Sequence, residues 1–178
     1  MPVHLRRYEH ADAKALRELL LDVHDECYAH SDDPFDSRDT FAGYLDRWSG
    51  RTGWVCVIGY DDQEPAGYAY GAPLPADTRW WAPVDSLNQA FTREDGRRTF
   101  AVSEIMVRPR WRGTGTARRI HDELLANRPE QRATLLVETS QPRVQALYET
   151  WGYKPVGQTP QDQDTPALTA MVRPLPAG

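Results

Sequence analysis

The fold of this chain is decided by one stretch, residues 107–117, which reads VRPRWRGTGTA. The run before it, Thr99–Val107, is rich in β-branched and apolar residues and predicts a strand. The pair Arg108-Pro109 ends that strand, because proline has no backbone N–H to donate to a strand ladder. The run after it, Thr116–Asn127, has apolar residues at helical spacing. A strand therefore leads into a helix through a glycine-containing turn.

Such a turn presents unpaired backbone N–H groups to an anion. The small residues Gly113, Gly115 and Ala117 would let phosphates approach the main chain, and Arg112 and Arg118 add positive charge. The pattern predicts a pyrophosphate cradle. A tight turn that binds nothing has the same glycines and remains the alternative.

Two well-known phosphate-binding loops do not fit this turn. A P-loop needs GxxxxGK[ST], which the chain lacks. A dinucleotide fingerprint GxGxxG fails because Arg118 stands where the last glycine belongs. The ligand is therefore expected to be a different phosphate compound.

The rest of the chain predicts a mixed α/β fold of the α+β kind, with a mostly antiparallel central sheet flanked by helices. No repeat or linker divides it, so we expect a single domain over residues 1–178. The predicted elements are, in order, strand Val3–Tyr8, helix His10–Cys27, a second helix ending at Gly50, strands Trp54–Tyr60, Ala66–Gly71 and Thr99–Val107, helix Thr116–Asn127, strand Ala133–Thr139, helix Val144–Trp151, and strands Tyr153–Val156 and Ala167–Val172.

Two finer expectations concern aromatic and apolar side chains. Pro73, Pro75 and Pro83 interrupt the middle of the chain, which predicts a loop carrying Trp80-Trp81 that could line a pocket. In the last helix, Leu147 and Trp151 are expected to face inward.

Composition excludes several classes of protein. A net charge of −5 over 178 residues argues against a general nucleic-acid binder. The longest apolar run, Trp54–Ile58, is too short to span a bilayer, and the polar N-terminus has no signal-like apolar stretch. Cys27 and Cys56 are expected to be free thiols, and no cysteine or histidine spacing predicts a metal site. We expect a soluble cytoplasmic protein with no membrane or nucleic-acid partner.

At this point the sequence resembles the GNAT superfamily of acyl-CoA-dependent N-acyltransferases. Its signature Q/R-x-x-G-x-G/A is met by Arg112-x-x-Gly115-x-Ala117, which follows a strand ending V-x-P and opens a helix ending in paired leucines. A later A-x-x-L-Y-E-x-x-G-F/Y is echoed by Val144–Tyr153, which reads VQALYETWGY. Family members often carry asparagine seven residues before the tyrosine, where this chain has Gln141.

The resemblance implies a GNAT-like fold and acetyl-CoA as co-substrate, with no metal. The last part of strand Thr99–Val107 would splay from strand Ala133–Thr139, leaving main-chain groups free to pair with the pantetheine arm. The turn would hold the pyrophosphate and supply catalysis largely by positioning. The residues implied in cofactor binding are Met106, Val107, Arg112, Gly113, Thr114, Gly115, Thr116, Ala117 and Gln141. The phosphates also explain the arginine cluster Arg108, Arg110, Arg112, Arg118 and Arg119.

The resemblance also implies two catalytic residues. An attacking amine must be neutral, and Glu104 on the splaying strand is the candidate base, directly or through water. A tyrosine at the start of the last helix is the family's usual proton donor to the leaving thiolate, and here it is Tyr148. A set of carboxylates could instead attract a cationic acceptor: Asp22, Asp25, Glu26, Asp32 and Asp33.

The acceptor is expected to be a primary amine on a small molecule. A protein or peptide amine is the alternative within enzymes, and a non-catalytic CoA-binding protein is the alternative outside them. A homodimer is the default for a small enzyme of this kind, although no residue here proves one.

Overall fold

The structure, a computed structural model, describes residues 3–163 and 165–176. Its strands are β1 (His4–Glu9), β2 (Val55–Asp61), β3 (Glu64–Pro73), β4 (Thr99–Val107), β5 (Arg132–Glu138), β6 (Lys154–Gln158) and β7 (Leu168–Pro174). Its helices are α1 (Ala13–Cys27), α2 (Arg38–Ser49), α3 (Gln89–Thr92), α4 (Thr116–Leu125) and α5 (Pro142–Thr150), with short 3₁₀ turns at His10–Asp12, Pro34–Asp36 and Pro109–Trp111.

The described strands are hydrogen-bonded in the order β1-β2-β3-β4-β5-β7-β6. The pairs β1–β2, β2–β3, β5–β7 and β6–β7 are antiparallel, whereas β4–β5 is parallel. The predicted class, a mixed α/β fold with a mostly antiparallel sheet, is confirmed. Each predicted strand and helix is present. Strand β4 has the predicted ends, the ends of the other elements are shifted, and the short helix α3 was not predicted.

The described chain forms two compact units. One comprises residues 3–72 and 103–126, and the other comprises 73–102, 127–163 and 165–176. Strand β4 contributes to both, because the division falls between Val102 and Ser103. The single domain over residues 1–178 stays a prediction.

In the first unit, helix α4 packs on the paired strands β1 and β2 through Ile120, which is fully buried. Gly59 on β2 makes this approach possible: a Cβ there would lie 3.1 Å from the Ile120 Cδ1 atom and 2.7 Å from Val3 Cγ1. A larger residue at this position would therefore push α4 away from the sheet.

Helices α1 and α2 of the same unit are joined by ion pairs. The guanidinium of Arg38 contacts Glu18 at 2.9 Å and Asp22 at 3.1 Å, and it also bonds to Asp25. Arg17 donates to Asp46 at 2.8 Å. A single cation that serves three carboxylates forms a network, which stabilises more than isolated surface pairs do.

In the second unit, a buried charge cluster lies beside the β4–β5 pairing, which covers Thr99–Ala101. Arg132 donates to Glu94 at 3.0 Å and to the Thr99 hydroxyl at 2.8 Å. Trp81 is buried and its Nε1–H donates to the same Glu94 carboxylate at 2.9 Å. Trp81 therefore has a structural role, because its indole satisfies a buried carboxylate, and a pocket lined by the Trp80-Trp81 loop stays a prediction.

Of the two side chains expected to face inward from helix α5, only one is buried. Trp151 is buried as predicted, but 46% of Leu147 is exposed. The ring of Tyr148 lies 5.3 Å from that of Trp151 and 6.1 Å from that of Tyr153. Tyr148 thus packs against two aromatic rings that follow the helix, and Leu147 is left on the exposed side of α5.

Both cysteines are free thiols, as predicted, and Cys56 is buried. Within residues 3–163 and 165–176, no helix has the length and apolar content that crossing a membrane would require.

Candidate active site

The turn between β4 and α4 is held open by two glycines. Gly113 and Gly115 have φ angles of +74° and +81°, a region that residues with a Cβ adopt only at a cost. Gly115 is the N-cap of α4. A Cβ built on either glycine would meet no atom of the described chain within 4 Å. The space over the turn is therefore accessible to a ligand.

The backbone amides of this turn are available. Among the described residues, no acceptor is bonded to the N–H groups from Gly113 to Ala117, whereas the neighbouring Arg112 N–H donates to Pro109. Free amides at the start of a ten-residue helix form a site for an anion, because the helix dipole adds partial positive charge there. Whether this turn binds an anion, rather than being a tight turn that binds nothing, stays a prediction.

Trp111 anchors the turn through its burial and its hydrogen bonds. Its side chain is buried with Val3 and Ala66, and its Nε1–H donates to Asp61 at 3.1 Å. The hydroxyl of Thr114 donates to the Trp111 carbonyl at 2.6 Å. The position of the free amides is therefore fixed by packing and hydrogen bonds in the same unit, a role of Trp111 and Asp61 that the sequence did not reveal.

The arginines around the turn divide into two kinds. Arg112 donates from Nε to the Val107 carbonyl at 3.0 Å, and Arg118 pairs with Asp122 at 2.8 Å. The guanidinium of Arg119 is exposed and has no carboxylate partner in the described chain. Arg119, in the first turn of α4, is thus the cation of the cluster best able to reach a phosphate.

Met106 and Val107 lie beside β3 in the first unit. The N–H of Arg108 donates to Ala66 O at 2.9 Å, and the Tyr68 hydroxyl donates to Met106 Sδ at 3.3 Å. A Cβ on Gly67 would lie 2.4 Å from the Met106 carbonyl oxygen. Gly67 therefore lets β3 approach the strand that carries Glu104. The predicted splaying of β4 from β5 concerns both units and stays a prediction.

Glu104 is a partly buried carboxyl with an unusual ionisation. Its burial and the negative charge of Asp36 raise the pKa of Glu104 from its ordinary value to about 8. It forms no ion pair with a lysine or arginine of the described chain. Two buried tyrosines, Tyr68 and Tyr70, are close enough for the Glu104 charge to raise the pKa of each, although burial is the larger cause.

The acidic residues considered as an attracting group differ in the structure. Asp22 and Asp25 are bonded to Arg38, and Glu26 pairs with Arg108 at 3.0 Å. Asp33 accepts from the Phe35 N–H and so caps a 3₁₀ turn. The charge of Asp36 contributes to the raised pKa of Glu104, an influence that the sequence does not reveal because the two residues are 68 positions apart along the chain.

The other two predicted site residues belong to the second unit. Tyr148 lies in the last turn of α5, so the expectation of a tyrosine at the helix start is wrong. Gln141 is exposed at the N-cap of α5, and its N–H donates to the Glu138 carbonyl at 2.9 Å. The first unit thus contains Glu104, Met106, Val107 and all the predicted residues from Arg112 to Ala117.

Comparison with known families and structures now adds to this geometry. A sequence profile described as the Acetyltransferase (GNAT) family matches residues 13–153. The chain belongs to the GNAT family of acetyltransferases. The resemblance found in the sequence is therefore confirmed. No curated protein matches the chain in sequence at a significant level.

Solved structures share the GNAT fold over nearly the whole chain. Aminoglycoside 6'-acetyltransferase type Ii is 15% identical with a TM-score of 0.67, and the match covers 98% of this chain and 99% of that one. A putative acetyltransferase, yncA from Salmonella typhimurium with its cofactor acetyl-CoA, is 16% identical with a TM-score of 0.62, covering 100% and 96%. The PaiA N-acetyltransferase from Thermoplasma acidophilum, in complex with coenzyme A, is 10% identical with a TM-score of 0.58, covering 98% and 99%. At these identities the likeness shows the fold alone.

Proposed function

We propose that this GNAT protein transfers an acetyl group from acetyl-CoA to a primary amine of a small molecule. The observation that supports the proposal most is the open turn, whose amides from Gly113 to Ala117 lack acceptors in the described chain. These amides and the Arg119 guanidinium would bind the pyrophosphate. Met106 and Val107 would offer main-chain groups to the pantetheine arm, and Gln141 is a further candidate contact.

Glu104 is the proposed general base. The bound co-substrate supplies a thioester, whose carbonyl carbon the amine nitrogen attacks with its lone pair. Glu104 takes the proton that the amine loses, directly or through one water. A carboxyl with a pKa of about 8 suits this task, because a stronger base than an ordinary glutamate accepts the proton more readily near neutral pH.

Tyr148 is the proposed general acid. When the carbon–sulfur bond breaks, its hydroxyl would donate a proton to the departing thiolate, and the products are an amide and a free thiol. Its location in the last turn of α5 leaves the chemistry of the hydroxyl unchanged. Most of the acceleration in this scheme comes from positioning.

The test measures thiol release from acetyl-CoA in the presence of a panel of small amines and of short peptides. We expect small amines to be acetylated, and Tyr148→Phe to lower turnover by about 10-fold or more with unchanged acetyl-CoA affinity. The matched control is Tyr28→Phe, which removes a hydroxyl from a ring that is 38% exposed. Transfer to peptides alone would replace the small-molecule acceptor by a protein one, and tight CoA binding without any transfer would leave a CoA-binding protein.

A further inference from the structure

Two arginines join the end of helix α1 to the strand and turn that carry the open amides. Nε of Arg108 lies 3.0 Å from Oε2 of Glu26, in the last turn of the helix. Arg112 donates from Nη2 to the Cys27 carbonyl at 3.5 Å, a long hydrogen bond, and from Nε to the Val107 carbonyl at 3.0 Å. Both arginines therefore connect α1 with the β4–turn–α4 segment inside the first unit.

The end of a helix is a favourable place for these cations. The last carbonyl groups of α1 have no acceptor role inside the helix, and the helix dipole adds partial negative charge there. Arg112 bonds to one of these carbonyls, that of Cys27, and Arg108 adds a second positive charge at the same end. The two side chains therefore stabilise the last turn of α1.

The same contacts leave Arg108 and Arg112 poorly placed to bind phosphate. The side chain of Arg108 is only 13% exposed, and its Nη1 also lies 3.8 Å from the Glu64 carboxylate. Its contact with Glu26 is an ion pair, because Nε has no aligned acceptor in the described chain. Arg112 is directed to main-chain carbonyls, whereas Arg119 is exposed at the start of α4.

Residues 28–37, which connect α1 with α2, are bonded among themselves. The Ser31 N–H donates to the Tyr28 carbonyl at 2.9 Å, and the Ser31 hydroxyl donates to the Asp36 carboxylate at 2.5 Å. A segment with internal bonds of this kind opens and closes as one local unit. Because it begins where α1 ends, loosening the last turn of α1 also loosens this segment.

We infer that Arg108 and Arg112 are positioning residues that link the acetyl-CoA turn to residues 28–37. A ligand that binds only the closed form of a local unit makes its opening rarer. The backbone of Arg112 leads into the turn and its side chain holds the end of α1, so the turn and residues 28–37 share one opening step. This inference rests on the proposed function, because it takes acetyl-CoA as the ligand of the turn.

The test measures hydrogen–deuterium exchange of residues 28–37 with and without acetyl-CoA, whose affinity for each protein is first measured by calorimetry. At about 100 times the dissociation constant, a fully shared opening step would slow exchange by about 100-fold, and we expect 10-fold or more in the wild type. Arg112→Met is expected to reduce this slowing to less than about 3-fold. Arg112→Lys keeps a cation with fewer fixed donors, so it should restore part of the slowing.

Arg119→Met separates linkage from phosphate binding. It should lower acetyl-CoA affinity by about 10-fold, more than Arg112→Met does, yet keep the full slowing once the protein is saturated. Glu26→Gln breaks the link from the helix side without changing the turn, and it should also reduce the slowing. The matched control is Arg47→Met, which removes an exposed guanidinium from α2 of the same unit and should behave as the wild type.

The outcomes distinguish this inference from the proposed function. Acetyl-CoA binding that leaves exchange of residues 28–37 unchanged in the wild type would overturn the inference alone. So would full slowing in both Arg112→Met and Glu26→Gln, or an affinity loss in Arg112→Met as large as that in Arg119→Met. A wild-type protein that does not bind acetyl-CoA would contradict the proposed function itself.

Discussion

At the scale of single residues, Glu104 combines a catalytic proposal with a measurable ionisation. The pKa of its carboxyl is about 8, so the carboxylate form that can accept a proton becomes abundant only as the pH approaches that value. An alkylamine with a pKa near 10.4 must also lose its proton to react. With butylamine as acceptor, log kcat/KM is therefore expected to rise with pH at a slope of about 2 below pH 8 and about 1 above it.

Replacing Glu104 by Gln removes one of the two ionisations. The slope is then expected to be about 1 throughout, and kcat/KM at pH 8 to fall by about 100-fold, the effect typical of losing a general base. The control is Asp62→Asn, which removes one carboxylate from an exposed turn at φ +54°, a conformation that asparagine tolerates well, and it should retain the wild-type profile. An unchanged slope in Glu104→Gln would show that another group is the base.

The same ionisation predicts how stability depends on pH. The folded-state pKa of Glu104 is raised above its unfolded value of 4.5, so folding is favoured by the protonated form. The favourable contribution of Glu104 to the free energy of unfolding is fully present below about pH 4.5 and is lost as the pH rises through about 8. Glutamine resembles the protonated form, so Glu104→Gln is expected to melt at a higher temperature than wild type at pH 9, with little difference at pH 4.5. Thermal unfolding at both pH values measures this, and a variant less stable at pH 9 would contradict it.

At the scale of elements, the β4–turn–α4 segment depends on glycine for its conformation. Gly115→Ala places a Cβ at φ +81°, which costs about 1 to 2 kcal/mol of stability, and directs it into the space over the free amides. We expect acetyl-CoA affinity, measured by calorimetry, to fall by about 10-fold or more.

The control for this substitution lies in helix α2. Gly43 is exposed, and a Cβ there meets no atom within 4 Å. Gly43→Ala is expected to stabilise the protein by about 0.5 to 1 kcal/mol, because alanine loses less backbone entropy in a helix, and to leave affinity unchanged. Full affinity in Gly115→Ala would mean that the phosphates bind elsewhere.

The elements also show what a sequence can and cannot predict. The strand, turn and helix from Thr99 to Leu125 follow from local signals: an apolar run, Arg108-Pro109, and glycines with positive φ. Side-chain roles set by distant partners were not predictable. Trp81 donates to the buried Glu94, which also accepts from Arg132, and the charge of Asp36 acts on Glu104 only because the fold brings distant parts of the chain together. The open amides were predicted because a glycine turn before a helix determines them locally.

At the scale of the whole molecule, one strand links the two compact units. Residues Thr99–Val102 of β4 belong to one unit and Ser103–Val107 to the other, so a transition that melts either unit removes part of a strand from its neighbour. We therefore expect one cooperative unfolding transition, with equal calorimetric and van't Hoff enthalpies. This outcome would support the prediction of a single domain over residues 1–178, whereas two resolved transitions would contradict it.

Thermal unfolding in the presence of acetyl-CoA gives a second test of the single domain. A ligand that binds only the folded state adds about 2.7 kcal/mol to the unfolding free energy at a concentration 100 times its dissociation constant. If the chain unfolds as one domain, the whole transition should move to higher temperature and remain single. If only the unit with the Gly113–Ala117 amides responds, the ligand should split the transition, because the unit that contains Tyr148 would melt first and unshifted. The shape of the ligand-loaded melting curve thus reports whether Tyr148 and the turn belong to one folding unit.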